Sequence, residues 1–366
     1  MDFTLSPEQL LIKDSVARFA ADHGEGDHWP TFAELGWLAL GAPEGLGGFG
    51  GPVETLLLME QFGRGLVRSA YVAQVVFAGT ILRIAERLDL LENVVEGKER
   101  VAVAYEEPHA RYDPARVATT AAREGDGYAL EGTKVRVLDA GTAATLIVSA
   151  RTDEGITLFA VPSNAPGVTR TPYPSEDGSD VADVRFEGVR VPASSIVGEP
   201  GGGLALLELG IDHATAALCA EALGLMSVML EATVEYTKQR QQFGVPIGSF
   251  QALQHRMAEM FIELELARSM AFLAAMTLSE ETDPTARRRG ISAAKAQVAK
   301  SGRFVGQNAI QLHGGIGMSE EYKVGHYFKR MTLVERLLGD ADFHLARYLA
   351  ARGVVGAAAP VPVAAR

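Results

Sequence analysis

Apolar positions along the chain change their period twice. From residue 1 to about 100 they recur at helical spacing. Leu11, Val16, Phe19 and Ala20 follow a start signal, Ser6-Pro7-Glu8-Gln9, in which Ser6 caps the helix, Pro7 takes its first position and Gln9 completes a capping box. The stretch GAPEGLGGFGG, 41–51, predicts a loop, because its six glycines weaken helix and strand alike. From 101 to about 198 the apolar runs shorten. VAVAY, YALEG, KVRVL, TLIVSA, ITLFAVP and DVRFEGVRVP are rich in branched or aromatic residues and are split by turn residues, which predicts strands. Asp126-Gly127 predicts a two-residue hairpin turn between two of them. From 199 to about 352 the helical period returns in long runs. Leu218, Ala222, Leu225 and Met229 lie in a run apolar nearly all round, so that helix is expected to be buried on most sides. Met257, Met260, Phe261 and Leu264 form a second stripe, and Asp283-Pro284 starts a further helix. Arg287, Arg288 and Arg289 read as a solvated face.

The order of elements gives an α+β fold: an N-terminal helical domain over 1–100, a central antiparallel β domain over 101–198 and a C-terminal four-helix bundle over 199–352. The last residues, 353–366, carry no pattern and are expected to be flexible.

Composition narrows the chemistry. With 366 residues and 47% hydrophobic content the chain can bury a large core. Its formal net charge of −12 argues against a broad nucleic-acid surface. The one cysteine, Cys219, sits in an apolar helical stretch and reads as a small core residue. No disulfide can form within the chain, which points to a reducing, cytoplasmic setting. No zinc-type Cys/His spacing occurs, so no metal site is expected. The N-terminus lacks a signal-peptide pattern, and no uncharged run of about 18 apolar residues predicts a membrane span.

Two short stretches could carry chemistry. In RQQFGVPIGSFQ, 240–251, Arg240 offers a planar fork of donors for phosphate and Phe243 a face for a ring. The same residues also fit a plain helix end with a hydrophobic contact. In QLHGGIGM, 311–318, glycines at a helix end could let backbone approach a ligand or could simply stop the helix. The spacing is not that of a Rossmann fingerprint.

Taken together with MDFTLSPEQ, LGWLALGAPEGLGG and FEGVRVPASSIVG, these stretches resemble the acyl-CoA dehydrogenases, flavoproteins that desaturate acyl-CoA thioesters between the α and β carbons. The resemblance runs to about residue 352 and covers the order of domains. It implies FAD as cofactor, an electron-transfer flavoprotein as electron acceptor, and an ADP-half site that reaches across a subunit interface. That site would consist of Arg240, Phe243, Gln251, Gln311, Gly314 and Gly315. The family's reaction needs a carboxylate base; alignment on LLGDADFHLARY puts Leu338 at one base position, and counting back from Gly224 puts Ala214 at the other; neither accepts a proton. Glu106, Arg136 and Leu138 stand where the family has flavin-ring contacts. EEPHARYD, TLIVSART and GDADFHL look like the small, non-base-bearing subunit of heteromeric members such as the pimeloyl-CoA dehydrogenases. The resemblance therefore implies no catalytic residue on this chain and a homologous partner chain that supplies the glutamate. The alternatives are a homotetramer using Asp340, with Asp342 and Asp212 next in line, and a CoA-ester-binding protein without catalysis. Asp340 also reads as a plain N-cap, and His344 as structural or adenine-side.

Overall fold

The structure, a computed structural model, describes residues 5–22 and 26–354; most of the C-terminal tail lies outside the described residues. The first layer is helical: α1 (Pro7–Asp22), α2 (Trp29–Glu34), α3 (Pro52–Gly65), α4 (Gly79–Ile84) and α5 (Leu88–Val95). A π-helical turn, Val72–Ala78, leads into α4. The capping box forms at α1: Ser6 N donates to Gln9 Oε1 at 2.9 Å and Gln9 N to Ser6 Oγ at 3.2 Å. Val16, Phe19 and Ala20 are buried, whereas Leu11 is exposed. Five residues rotate the helix about 140° beyond a full turn, so Leu11 leaves the stripe that Val16 begins.

The central sheet comprises β1 (Val101–Ala104), β2 (Thr120–Glu124), β3 (Gly127–Leu138), β4 (Thr145–Thr152), β5 (Gly155–Pro162), β6 (Val168–Pro174), β7 (Asp180–Pro192) and β8 (Ile196–Val197). Its order is β6-β7-β3-β2-β4-β5-β8, with β1 also on β4. Pairing is antiparallel except that β1 and β2 run parallel to β4. The β2–β3 turn falls one residue earlier than expected. Glu124 pairs with Gly127, so the turn residues are Gly125 and Asp126, and Gly125 takes the positive φ of +60°. Glycine is the better occupant of that conformation.

The last layer holds α6 (Gly203–Gln239), a two-strand hairpin of β9 (Gln241–Gln242) and β10 (Val245–Pro246), α7 (Gln251–Glu280), α8 (Pro284–His313), α9 (Lys323–Arg336) and α10 (Ala341–Ala351). α6 is long and apolar enough to cross a membrane by length and composition, but 83% of that window is buried inside the protein, as in a core helix. Leu218, Ala222, Leu225 and Met229 are all buried. α6 meets α3 at Gly63 and Gly224; a Cβ at either would stand 2.1 Å from a carbonyl oxygen of the other helix. Asp283 caps α8 through Ala286 N at 2.8 Å. Of the three arginines after it Arg289 is exposed as expected, but two are not on a solvated face: Arg287 pairs with buried Asp212 of α6 at 2.9 Å and Arg288 with Glu208 at 2.8 Å. Arg347 of α10 reaches the same Asp212 at 2.8 Å, so one buried carboxylate ties three helices. On α7, Met260 and Leu264 are buried, but Phe261 is exposed beside Ile262 and Leu266.

Candidate functional site

Where the three layers meet lies a cavity of about 480 Å³, large enough for a small organic ligand. The π-helical turn contributes Val72, Ala73 and Phe77 to its wall, β1 and β3 contribute Val103 and Val137, and the bundle contributes Leu218, Leu333 and Leu337. Leu338 follows α9 with φ +59° and also faces the cavity. That turn is braced from behind. His344 Nε2 lies 3.1 Å from Leu338 O, Asp340 Oδ1 accepts from Phe343 N at 2.9 Å, and buried Lys295 donates to Val334 O. Asp340 therefore caps α10, with its other oxygen 3.9 Å from Arg111. Ala214 is buried away from the wall, and Leu218, one turn further along α6, faces the cavity instead.

At the Leu338 end, Arg136 and Glu106 form an ion pair, and Tyr105 Oη donates to Glu106 Oε1 at 3.1 Å. Burial raises the Glu106 carboxyl against the opposing pull of Arg136 and Tyr105. Arg136 reaches this position through an irregularity in the sheet. The β3–β7 register shifts between Lys134 and Val137, and Arg136 takes φ +53°. Such a bulge re-aims a side chain that plain alternation would send elsewhere. Behind the wall, Lys134 is fully buried, 2.7 Å from Glu107 and 2.9 Å from Ser149 Oγ. Burial pulls Lys134 down to about 8. Glu107 would be raised by its own burial, but Lys134 and the backbone N–H groups of Thr119 and Ala118 hold it below its ordinary value.

Further back along α9, at Arg330, the wall gains more charge. Arg330 is gripped by Glu221 at 2.6 and 2.9 Å and by Asp177 at 2.9 Å. Arg100 pairs with Asp27 at 2.5 Å. Asp139, just past β3 at φ +53°, faces the same end. Burial pushes its carboxyl up to about 7; Arg330 pulls it down and Asp180 pushes it up. Asp139, Arg330 and Lys134 were not singled out from the sequence. For Lys134 a signal existed, since it shares strand parity with the inward Tyr128 and Leu130. Nothing local marks Asp139 or Arg330.

The six residues of the expected ADP-half site lie elsewhere. Arg240 ends α6 in extended conformation, and Phe243 and Gly244 form the hairpin tip, both with positive φ (54° and 81°). Phe243 is 92% exposed and packs edge-on against Phe250 at 6.3 Å. A bulky side chain is rarely held in that backbone region. Gln251 opens α7, Gln311 lies in the last turn of α8, and Gly314 and Gly315 follow; all four are exposed, and a Cβ at either glycine would meet nothing. α6 and α8 end side by side, because Tyr236 stacks on His313 at 4.5 Å. The two stretches thus share one end of the bundle, and none of the six residues lines the cavity. Around them Ile316 and Met318 are also exposed.

A helical layer, a sheet and a bundle enclosing one interdomain cavity define a class of small-molecule enzyme folds. Within that class, the chain belongs to the acyl-CoA dehydrogenase family, whose members are FAD-dependent oxidoreductases. Family models for the N-terminal, middle and C-terminal domains match residues 6–87, 102–189 and 201–352. The probable acyl-CoA dehydrogenase YngJ of Bacillus subtilis is 31% identical, with 96% of this chain and 99% of that protein covered. Among solved structures, the FAD complex of PigA aligns with a TM-score of 0.90 at 27% identity, covering 97% of this chain and all of PigA. A variant of the Tcur3481–Tcur3483 steroid ACAD aligns at 0.85 and 30% identity, covering 96% and 99%.

Proposed function

We propose that this chain is one subunit of a heteromeric acyl-CoA dehydrogenase that desaturates an acyl-CoA thioester, with a homologous partner chain supplying the catalytic glutamate. The observation that carries this reading is Leu338. It occupies the cavity wall on a braced turn, and Leu218 faces it from α6, so the wall offers a hydrocarbon where α-proton removal needs a base. Asp340 and Asp212 are committed to a helix cap and to two arginines.

The residues fit FAD in one half only. Exposed Arg240, Phe243, Gln251 and Gln311 and the open backbone of Gly314 and Gly315 suit a diphosphate and an adenosine from a partner's cofactor. The chain's own cavity presents the Glu106–Arg136 pair and Leu138, a poor match for a flat ring that becomes anionic on reduction. The six bundle-end residues would hold the ADP half of an FAD at the shared interface, which would supply the hydride acceptor, with an electron-transfer flavoprotein as the electron acceptor. The exposed Phe261, Ile262 and Leu266 of α7 supply apolar area for assembly. A cytoplasmic setting suits the buried thiol of Cys219.

The test is the flavin-to-protein ratio of the chain purified alone and co-expressed with its partner. Little flavin alone and about one per pair of chains in the complex is the expected result. Full occupancy of the lone chain would overturn the shared site and make Asp340→Asn the next experiment.

A further inference from the structure

We infer that the cavity of this chain is a ligand site in its own right, taking an amphiphile whose apolar body lies along Leu333, Leu337 and Phe77 and whose far end donates a hydrogen bond, as a hydroxyl or ammonium, to Asp139. The inference rests on the reading that this cavity holds no flavin ring of its own.

The geometry is polarised. Leu333, Leu337, Leu338 and Phe77 give one part of the wall its hydrocarbon, interrupted by the Glu106–Arg136 pair, and towards Arg330 and Asp139 the wall carries further charge. Beside Arg330 and Asp139 the cations are already engaged: Arg330 by Glu221 and Asp177, Arg100 by Asp27, and Arg68 by Asp177 O, to which it donates at 2.6 Å. Arg336 is paired with Glu176 at 3.3 Å. Asp139 and Asp180 have no ion-pair or side-chain hydrogen-bond partner among the described residues, so the surplus charge is negative. A carboxylate-ended ligand would add to that surplus, whereas a donor would satisfy it. Asp139 is placed for this by its backbone. A non-glycine φ of +53° at the strand end turns its carboxyl towards the cavity, and Asp and Asn are the residues that best tolerate such a conformation. Ser175 lines the same cavity and its hydroxyl can orient a second polar atom of the ligand, whereas Ser179 Oγ already donates to Asp177 Oδ1 and Thr142 Oγ1 to Asp139 O.

The experiment is calorimetric titration of the lone chain with three thioesters of equal length: decanoyl-CoA, ω-hydroxydecanoyl-CoA and decanedioyl-CoA. At about pH 8, where the Asp139 carboxyl is ionised, the hydroxylated probe is expected to bind about ten- to a hundredfold tighter than decanoyl-CoA, the size of one hydrogen bond to a charged acceptor, and decanedioyl-CoA weakest. Asp139→Asn, which keeps the backbone preference, should lose most of the hydroxyl advantage and most of the penalty on the dicarboxylate; its melting curve verifies the fold. Equal binding of all three, tightest binding of decanedioyl-CoA, no binding, or an unchanged order in Asp139→Asn would each overturn the inference. Visible flavin absorbance on the same sample separates the two readings. A colourless chain that fails the ordering sinks only the ligand site, whereas a flavin-replete lone chain sinks the subunit reading and, with it, the free cavity.

Discussion

The bundle end and the cavity make opposite use of similar residue types. At the bundle end, Arg240, Phe243 and Gln311 point into solvent, and Phe243 sits in a backbone conformation that its side chain disfavours. Among the described residues, the side-chain contact these three make within the chain is the edge packing of Phe243 on Phe250. In the cavity, the arginines and carboxylates neutralise one another: Arg136 with Glu106 within the β domain, and Arg330 with Glu221 of its own bundle and Asp177 of the β domain. On the proposed reading the bundle end serves a partner's cofactor, whereas most of the cavity's charges are paired within this chain. The difference teaches where to expect effects on assembly and where on stability.

The comparison is broken if mutations at the two regions behave alike. The largest expected contrast is in stability. Lys134→Ala strands Glu107 in a fully buried position and should cost about 3–5 kcal/mol, read as a lower denaturant midpoint at unchanged m. Arg240→Ala should stay within about 0.5 kcal/mol of wild type in the same assay. In the co-expressed complex the ranking inverts. Arg240→Ala should weaken FAD retention by about 2 kcal/mol, roughly thirtyfold in Kd by flavin release on dilution, the worth of a charge-assisted contact. Phe243→Asn sharpens the contrast further. It should stabilise the lone chain by about 1 kcal/mol, because asparagine tolerates positive φ, while lowering flavin content in the complex. A loss of lone-chain stability would show that the hairpin tip packs against its own subunit.

The smallest effect belongs to Asp139. Its carboxyl rises from an ordinary 3.8 to about 7 in the folded chain. The folded state therefore keeps a proton that the unfolded state gives up, and that stabilisation is complete below about pH 4 and lost as pH rises through about 7. Asp139→Asn removes the loss. It should melt a degree or two above wild type at about pH 8 and lose that advantage near pH 4. An equal shift at both pH values would assign the gain to packing.

Much of the fold was readable in order along the chain. The Ser6 and Asp283 caps formed where local chemistry placed them, because a cap needs only residues three apart. The β2–β3 turn slipped by one residue because Gly125 outcompetes Asp126 for the positive φ. Arg287 and Arg288 were misjudged for a different reason: their partners, Asp212 and Glu208, lie on another helix far away in sequence.

The sequence by itself determined the element types, the layer order and the lack of a carboxylate at residue 338, since periodicity, capping and side-chain identity are local properties. Only the tertiary structure decided that Leu338 faces a cavity, that Glu106 is neutralised by Arg136, and that Asp139 has no ion-pair partner among the described residues. Those facts depend on a bulge in β3, a left-handed turn after α9 and contacts across three layers. Such features arise when distant segments compete for the same space and charge, and no window of sequence contains both competitors.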